Sequence, residues 1–413
     1  MRERFTQVRA TTVALAAPLS AEDQLLQSMP DASPTKWHLA HTAWFFEAFV
    51  LRPHLPGYRP FPAEFEALFN SYYQSVGPLY PRAARGLISR PGLAEVMDYR
   101  RHVDEAVSTA LGSGRLGDAA RAVVELGLQH EQQHQELLLT DIQHALSCNP
   151  RHPAYREPMS APVPAPVPLT YVHFPGGTAE IGRAVEPSRR PGFAFDNEMP
   201  RHAVLTADYQ LANRLVTNAE YRAFVDAGGY RDPLLWLSDG WGEVQRQGWQ
   251  RPLYWTECGE REFSLEGDVA LDPQAPVRHV SLYEADAFAR WAGARLPTEM
   301  EWELAATQAV DGNFLESGAL RPRGVGPGAH GVAQLFGDAW EWTQSAYAAY
   351  PGYRPPPGAL GEYNGKFMIN QVVLRGGSCF SPRSHLRASY RNFFPPGARW
   401  QVSGIRLARD GTR

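Results

Sequence analysis

Cysteine is scarce in this sequence of 413 residues, which contains three: Cys148, Cys258 and Cys379. Thiols so few and so far apart along the chain do not form a disulfide framework, and they cannot supply the four thiolates of a structural zinc site. This scarcity fits a reducing compartment, so we expect a cytoplasmic protein.

Long hydrophobic runs and an excess of charge of one sign are also missing. No stretch approaches the roughly 18 apolar residues of a membrane span, and the short apolar run at residues 11–17 is stopped by Pro18, unlike a signal peptide. Forty Lys and Arg residues against 44 Asp and Glu residues give a net charge of −4. A near-neutral chain without a basic block argues against a nucleic-acid partner. We expect neither membrane nor nucleic-acid binding.

Proline is abundant, and its densest run divides the chain. Residues 158–168 read PMSAPVPAPVP, a composition that favours extended polyproline geometry and cannot lie inside a helix or a central strand. We interpret residues 158–169 as a linker between a first domain, residues 1–157, and a second domain, residues 170–413.

The two predicted domains differ in pattern. In the first, apolar residues recur at helical spacing, which predicts a helical bundle. Its helices are expected at residues 21–29, 37–51, 93–111 and 119–146. In the second, short apolar runs alternate with Gly, Pro and Asp, and helices are expected at residues 218–225 and 283–291. The chain is therefore predicted to be an α+β protein of two domains.

The sharpest local signal is the segment His130-Glu131-Gln132-Gln133-His134 in a predicted helix. Residues four apart lie on one face of a helix, so both imidazoles can bind one ion. The same pattern is the zinc-protease signature, although nothing nearby completes its usual extended form. A polar helix face that carries two histidines by chance is the alternative.

A third histidine strengthens the metal hypothesis. His41 shares an apolar helix face with Trp44, whereas His38 lies off that face. A histidine on an apolar face is often only a core residue, but bundles commonly build metal sites from inward-facing ligands on separate helices. His41 together with His130 and His134 would offer three nitrogens and leave open positions on the ion. Iron, copper and zinc all suit such a set.

A tyrosine pair is followed by two arginines. Tyr72 and Tyr73 precede Arg82 and Arg85. If these residues lie near a metal, a tyrosine can supply a proton and an arginine can hold a substrate carboxylate through paired hydrogen bonds. A surface loop rich in Tyr, Pro and Arg is the alternative.

The second predicted domain carries five spaced motifs. They are FDNE with PRH at residues 195–202, RLPTEMEWE at 295–303, GDAWEWT at 337–343, LRGGS at 374–378 and GIRL at 404–407. In this order they resemble the formylglycine-generating-enzyme (sulfatase-modifying factor) domain, a variant of the C-type lectin fold, over about residues 170–410. Catalytic members of that family use a cysteine pair near the C-terminus. This region has Cys379 alone, so we do not expect formylglycine chemistry.

The first predicted domain, with Ser33-Pro34, Leu39-Ala40-His41 and the segment 130–134, resembles a DinB-like bundle. The fusion of the two domains resembles the ergothioneine-type sulfoxide synthases over nearly the whole chain. Those non-heme iron enzymes use dioxygen to join a thiol sulfur to carbon 2 of the imidazole of hercynine, which is N-α-trimethylhistidine. The resemblance implies Fe(II) as cofactor, O2 as co-substrate and His41, His130 and His134 as iron ligands.

The resemblance also implies roles for other residues. Gln133 would form a hydrogen bond with the imidazole of hercynine. Tyr72 and Tyr73 match a tyrosine pair that lines the iron site in the cysteine-using branch, and we predict Tyr73 to be the proton donor. Arg82 and Arg85 would hold the carboxylate of the thiol substrate.

Asn392, Phe393 and Phe394 resemble the hercynine-recognition loop of the family. A quaternary ammonium is favoured over aromatic faces, and both phenylalanines could instead pack a domain interface. The branch that uses γ-glutamylcysteine usually has an acidic residue where Phe394 stands, which favours free cysteine as the donor here.

Other functions remain open at this stage. A selenoneine synthase would share the iron site and form a C–Se bond from a selenium donor. An ovothiol-type enzyme usually carries an extra methyltransferase domain, for which this chain has no room. A lectin-like binding protein with a metal-stabilised bundle and a zinc hydrolase are the alternatives from other classes.

Overall fold

The computed structural model describes residues 1–159, 165–184, 192–306, 309–326 and 331–411. It divides into two compact units, of which the first is Met1–Arg156 with Pro356–Tyr363 and the second is Glu157–Pro355 with Asn364–Arg413. Within the predicted linker, residues 160–164 lie outside the described residues. Among the described residues, no helix is both long and apolar enough to cross a membrane.

The division differs from the sequence-based expectation in two respects. The second unit begins at Glu157, so it takes in the described residues of the predicted linker. The prediction placed all of residues 170–413 in the second domain, whereas Pro356–Tyr363 belongs to the first unit. Its last two residues explain why. Glu362 accepts hydrogen bonds from the backbone of Gln74 and Ser75, and Tyr363 bonds to Gln133. This segment therefore completes the helical unit from far along the chain.

The first unit is built of helices. They are α1 (Arg2–Ala16), α2 (Thr35–Phe46), α3 (Arg52–His54), α4 (Glu64–Phe69), α5 (Leu93–Gly112) and α6 (Asp118–Ser147). A π-helical turn, Glu47–Leu51, continues α2, and Arg82–Leu87 forms a 3-10 helix. Helices α2, α5 and α6 lie within two residues of their predicted starts.

One predicted helix needs correction, and one helix at the N-terminus was not predicted. The apolar run near the N-terminus, which suggested no element, is part of α1, whose buried face carries Phe5, Val8 and Ala16. The helix predicted at residues 21–29 is reduced to the 3-10 turn Asp23–Leu25. There the Ser20 hydroxyl accepts from the backbone of Asp23, and Leu26 turns extended, so the leucine spacing does not produce a longer helix.

The second unit combines helices with small sheets, which confirms the predicted α+β class. Its helices are α7 (Asn218–Asp226), α8 (Ser238–Gln247), α9 (Leu282–Trp291) and α10 (Glu299–Ala305). The residues that open α7, α9 and α10 are Thr217, Ser281 and Thr298, and the hydroxyl of each accepts from the backbone of the glutamate three residues on. These capping boxes satisfy backbone groups that a helix start leaves without partners. Helices α8 and α10 were not predicted.

The strands of the second unit are short. In chain order they are β1 (Tyr171–Phe174), β2 (Gly177–Ile181), β3 (His202–Thr206), β4 (Tyr209–Ala212), β5 (Arg261–Ser264), β6 (Gly267–Ala270), β7 (Trp340–Ala346), β8 (Val372–Arg375), β9 (Asn392–Phe394), β10 (Ser403–Gly404) and β11 (Ala408–Asp410). One sheet has the order β1-β4-β11, a second has β10-β7-β8-β9, and β2–β3 and β5–β6 are antiparallel pairs. In the second sheet β10 pairs with β7 in parallel, and the other pairs are antiparallel.

A buried ion pair joins two of the sequence motifs of the second unit. Glu341, from GDAWEWT, accepts from Arg406, from GIRL, at 2.7 and 2.8 Å, and from the Trp302 indole at 2.8 Å. Neither charged side chain is exposed. Removing one partner from such a pair leaves an uncompensated buried charge, which is strongly destabilising.

Glu341→Ala is therefore expected to lower the free energy of unfolding of the second unit by about 3–5 kcal/mol. Chemical denaturation monitored by tryptophan fluorescence would measure the change. Glu180→Ala is the matched control, because it removes an ion pair to Arg201 in which both side chains are more than half exposed; we expect it to change stability by less than about 1 kcal/mol. Equal effects of the two variants would contradict this account of the core.

Candidate metal centre

Three histidines from α2 and α6 converge inside the first unit. His41, His130 and His134 each offer a ring nitrogen, and these nitrogens lie within 4.8 Å of one another. The ring centroids are 4.5 to 4.9 Å apart. The exposed fractions of the three side chains are 0%, 2% and 9%. The three residues singled out in the sequence thus form one buried cluster.

Close helix packing brings the two helices together. A side chain at Gly127 of α6 would place its Cβ 2.6 Å from the ring of Phe46 and 3.0 Å from that of Phe45, both in α2. Glycine therefore permits an approach of the helices that no larger residue allows. His41 and His130 lie one turn or so beyond this contact, and their Nε2 atoms are 3.2 Å apart.

The tautomer of His41 is set by a backbone carbonyl. Its Nδ1 is 2.7 Å from the carbonyl oxygen of Phe69, which can only accept, so Nδ1 carries the proton and Nε2 carries the lone pair. The ring is held flat against Trp37, with centroids 4.4 Å apart and planes 14° apart. Hydrogen bonding of this kind is how proteins orient histidine ligands.

The three imidazoles are neutral in this environment. Burial lowers the pKa of His130 to about 3. Burial, followed by the neighbouring histidines, lowers the pKa of His41 and of His134 well below the usual range. Neutral imidazole is the form that binds metals. Three neutral nitrogens in a buried site fit a divalent transition-metal ion.

The glutamate of the HExxH segment forms buried ion pairs with two arginines. Glu131 is fully buried and accepts from Arg9 at 2.8 Å, from Arg100 at 3.0 Å and from the Thr12 hydroxyl at 2.7 Å. Burial would raise its pKa, but the two guanidinium groups outweigh this and lower it to about 2. A carboxylate held in this way is not placed to act as the general base of a zinc hydrolase.

The tyrosine pair lies beside this cluster. Tyr73 is fully buried, and its ring centroid is 5.6 Å from that of Trp44, which in turn stacks on His41. The ring of Tyr72 is 4.6 Å from that of Tyr73. Burial, followed by the phenols of Tyr72 and Tyr363, raises the pKa of Tyr73 well above its ordinary value. Tyr73 therefore stays protonated at neutral pH.

Tyr363 is a residue that the sequence analysis missed. Its ring centroid is 5.7 Å from that of His130, and its hydroxyl donates to Oε1 of Gln133, the residue before His134. Tyr72 is also near, with centroids 6.3 Å apart. Tyr363 lies 229 residues beyond His134 in a loop with no recognised motif, so no local signal pointed to it.

The two arginines occupy different environments. Arg85 is 3% exposed, and its guanidinium carbon lies 3.5 Å from the centre of the Trp37 ring. It donates to the hydroxyls of Ser33 and Ser71. Burial, and then the charge of Arg82, lowers the pKa of Arg85 to about 9. Arg82 itself is exposed and donates to the backbone carbonyl of Asp31. The structure thus brings Arg85, but not the exposed Arg82, into the buried surroundings of the histidines.

Asn392, Phe393 and Phe394 form β9, in the second unit rather than in the unit that holds the histidines. All three are partly buried. The Phe393 ring stacks on Tyr347 with centroids 4.0 Å apart, and Phe394 lies edge-on to Trp400 at 6.0 Å. The segment therefore presents several aromatic rings close together.

Known protein families account for both units. Residues 4–138 match the DinB superfamily, and residues 157–325 and 318–411 match the sulfatase-modifying factor enzyme 1-like domain. The chain is also 29% identical to the formylglycine-generating enzyme of Streptomyces coelicolor. That similarity covers 58% of this chain and 88% of the relative. These matches confirm the predicted pairing of a DinB-like bundle with a formylglycine-generating-enzyme-like domain.

Two relatives are similar to this chain along nearly its whole length. The chain is 35% identical to the hercynine oxygenase of Mycolicibacterium thermoresistibile, over 93% of this chain and 89% of the relative. It is 33% identical to the hercynine oxygenase of Mycobacterium tuberculosis, over 98% of this chain and 97% of the relative. Identity at this level along the full length of both proteins confirms the resemblance drawn from the motifs. The chain is an oxidoreductase and belongs to the hercynine oxygenase family.

Proposed function

We propose that this enzyme is an iron(II)-dependent sulfoxide synthase that joins carbon 2 of the hercynine imidazole to the sulfur of cysteine. The names of its relatives support hercynine as a substrate. In the balanced reaction the ring loses a C–H hydrogen and the thiol its S–H hydrogen. A C–S bond and an S–O bond form, and O2 accepts four electrons to yield the sulfoxide oxygen and one water. The observation that carries the proposal is the buried cluster of His41, His130 and His134.

The proposed ligands are these three histidines, which would hold Fe(II) through neutral nitrogens. When bound, the ion would mediate the transfer of these electrons from the two substrates to O2. Three protein ligands leave positions open for substrates, and the burial of the cluster restricts the access of bulk water. The protein would therefore hold the ion, orient the substrates and shield the site from bulk water.

Gln133 is proposed to orient the hercynine ring. It precedes His134 on α6, and the Tyr363 hydroxyl donates to its Oε1. That bond fixes which end of the amide is the acceptor, so Nε2 is the end that can donate to a ring nitrogen. Tyr363 would thus fix the direction in which the Gln133 amide is presented.

Tyr73 is proposed as the proton donor, with Tyr72 beside it. A general acid must carry its proton at the working pH, and the raised pKa of Tyr73 ensures this. Its hydroxyl is buried, with the phenol of Tyr72 beside it. A reacting group that entered the site could receive the proton of this buried hydroxyl.

Arg85 is proposed to bind the carboxylate of cysteine, with Arg82 as an outer contributor. The guanidinium of Arg85 is buried, yet its hydrogen bonds go to two serine hydroxyls, and no described carboxylate forms an ion pair with it. The Asp141 carboxylate acts on this guanidinium only from beyond ion-pair distance, and a substrate carboxylate would supply a directly bonded charged partner.

The trimethylammonium group of hercynine is proposed to contact the aromatic segment Asn392–Phe394 of the second unit. Rings attract such cations through their electron-rich faces. Phe393, stacked on Tyr347, and Phe394 offer these faces, and the Asn392 amide would contact the amino-acid end of the substrate.

The product assay tests the function directly. Protein loaded with Fe(II) under anaerobic conditions is mixed with hercynine and cysteine and exposed to 18O2, and mass spectrometry is expected to show a hercynylcysteine sulfoxide that carries one 18O atom. A product from a selenium donor or γ-glutamylcysteine, with none from cysteine, would overturn the donor assignment. No product from any donor, with iron bound, would overturn the function.

His41→Ala is expected to abolish tight Fe(II) binding and turnover, because it removes one of three ligands. Anaerobic competition with a chromogenic chelator measures the binding. His144→Ala is the matched control, since this histidine lies on the ligand helix but bonds to Ser28 at 2.7 Å; its Fe(II) affinity is expected to equal that of the parent. Unchanged Fe(II) affinity in His41→Ala would remove this cluster from consideration as the iron site.

Arg85→Gln is expected to raise the KM for cysteine about 10- to 100-fold, because hydrogen bonds to charged groups contribute about 1.5–3 kcal/mol. The KM for hercynine should change far less. Steady-state kinetics with each substrate varied in turn separates the two. Arg90→Gln, which neutralises an exposed guanidinium bonded to the Ser89 carbonyl, is the control. An Arg85→Gln enzyme with an unaltered KM for cysteine would contradict the assignment.

A further inference from the structure

A fourth buried histidine lies behind the cluster of His41, His130 and His134. His38, one turn before His41 on α2, is 2% exposed, and its Nδ1 is 2.8 Å from Nδ1 of His134. The other nitrogen of His38, Nε2, is 3.1 Å from Oδ2 of Asp141, which is 5% exposed. The three side chains form a continuous buried chain of hydrogen bonds from a carboxylate to a proposed iron ligand.

The carboxylate of Asp141 determines which group donates and which accepts in each of these hydrogen bonds. Oδ2 of Asp141 also accepts from the backbone N–H of Ser33 at 2.8 Å. A backbone N–H can only donate, and a carboxylate oxygen accepts. His38 must therefore donate from Nε2. An imidazole that carries a single N–H and donates it from Nε2 accepts at Nδ1, so in this arrangement Nδ1 of His38 is the acceptor and Nδ1 of His134 the donor.

This direction decides which nitrogen of His134 can bind a metal. With its proton on Nδ1, His134 carries a lone pair on Nε2. The reverse direction would place the proton on Nε2, where it would exclude a metal ion. His41 has the same Nδ1-protonated tautomer, but there the acceptor of its Nδ1 proton is the Phe69 carbonyl. Two ligands are thus presented as Nε2 donors, one by a carbonyl and one by a histidine–aspartate pair.

We propose that His38 and Asp141 are positioning residues that hold His134 in its Nδ1-protonated tautomer and strengthen Nε2 as a metal ligand. The inference rests on the proposed function, because it takes His134 to be an iron ligand. The negative charge of the carboxylate, relayed through His38, makes the His134 ring a better electron donor. Such outer partners typically change metal affinity 10- to 100-fold.

The test measures metal binding without substrates. Fe(II) affinity is determined by anaerobic chelator competition, and Co(II) is used as a second probe because its visible absorption reports the number and geometry of nitrogen ligands. Asp141→Ala is expected to weaken Fe(II) binding about 10- to 100-fold and to shift the Co(II) spectrum towards that of His134→Ala. Asp141→Asn keeps a carbonyl oxygen that can accept from Ser33 and His38, so it is expected to retain the parental spectrum with an intermediate affinity.

A double-mutant cycle separates this role from a merely structural one. If Asp141 acts through His134, then adding Asp141→Ala to His134→Ala lowers the affinity no further. Glu125→Gln is the matched control, since it removes a carboxylate charge from the same helix, where Glu125 pairs with Arg4 at 2.6 Å. Its affinity and spectrum are expected to match those of the parent. His38→Gln serves as the second variant and is expected to show the loss seen in Asp141→Ala, should the latter fail to fold.

The outcomes are distinguishable. Parental affinity and spectrum in folded Asp141→Ala and His38→Gln, with His134→Ala impaired, would overturn the positioning role and leave the metal centre intact. Losses that add fully in the double variant would also overturn it. Parental affinity in His134→Ala would overturn this role and the proposed metal centre together.

Discussion

The approach of α2 to α6 is the constraint on which the rest of the first unit depends. Gly127 admits the rings of Phe45 and Phe46, and one turn further along α6 the buried Glu131 ties that helix to Arg9 of α1 and Arg100 of α5. A carboxylate with two guanidinium partners is stable in a dry interior only while all of them remain in place. Packing and charge together therefore fix the rotation of α6, and that rotation directs His130 and His134 towards α2.

This arrangement gives the residues of the HExxH segment different tasks. Because a helix turns about 100° per residue, His130 and His134 share one face while Glu131 points elsewhere. In a zinc hydrolase the glutamate must reach a metal-bound water. Here it reaches two arginines, and its pKa is depressed to about 2. The HExxH segment thus supplies two metal-ligand candidates, His130 and His134, and one core ion-pair residue, Glu131. Only the residues around Glu131 distinguish this site from that of a zinc protease.

Much of the fold and of the site could be predicted from the sequence, and the failures have a common cause. Helix spacing located α2, α5 and α6, and the HExxH spacing with His41 predicted a cluster that the structure assembles. Tyr363, by contrast, contacts Gln133 from 230 residues away in the chain, and no local period encodes such a contact. His38 was set aside because it lies off the apolar face of α2. That criterion finds core residues, whereas His38 is buried through hydrogen bonds to His134 and Asp141.

The polar groups around the histidines divide into those that the protein satisfies and those that it does not. Hydrogen bonds to His38 and to the Phe69 carbonyl engage the outer nitrogens of two histidines, and Glu131 pairs with Arg9 and Arg100. Arg85 remains a buried cation bonded only to neutral groups, and the Tyr73 hydroxyl remains buried without a bond of normal geometry to a described residue. Buried polar groups are normally paired, and those left unpaired demand a reason. An anionic substrate for Arg85 and a proton acceptor for Tyr73 would supply that reason, and this is the physical basis of the roles proposed for the two residues.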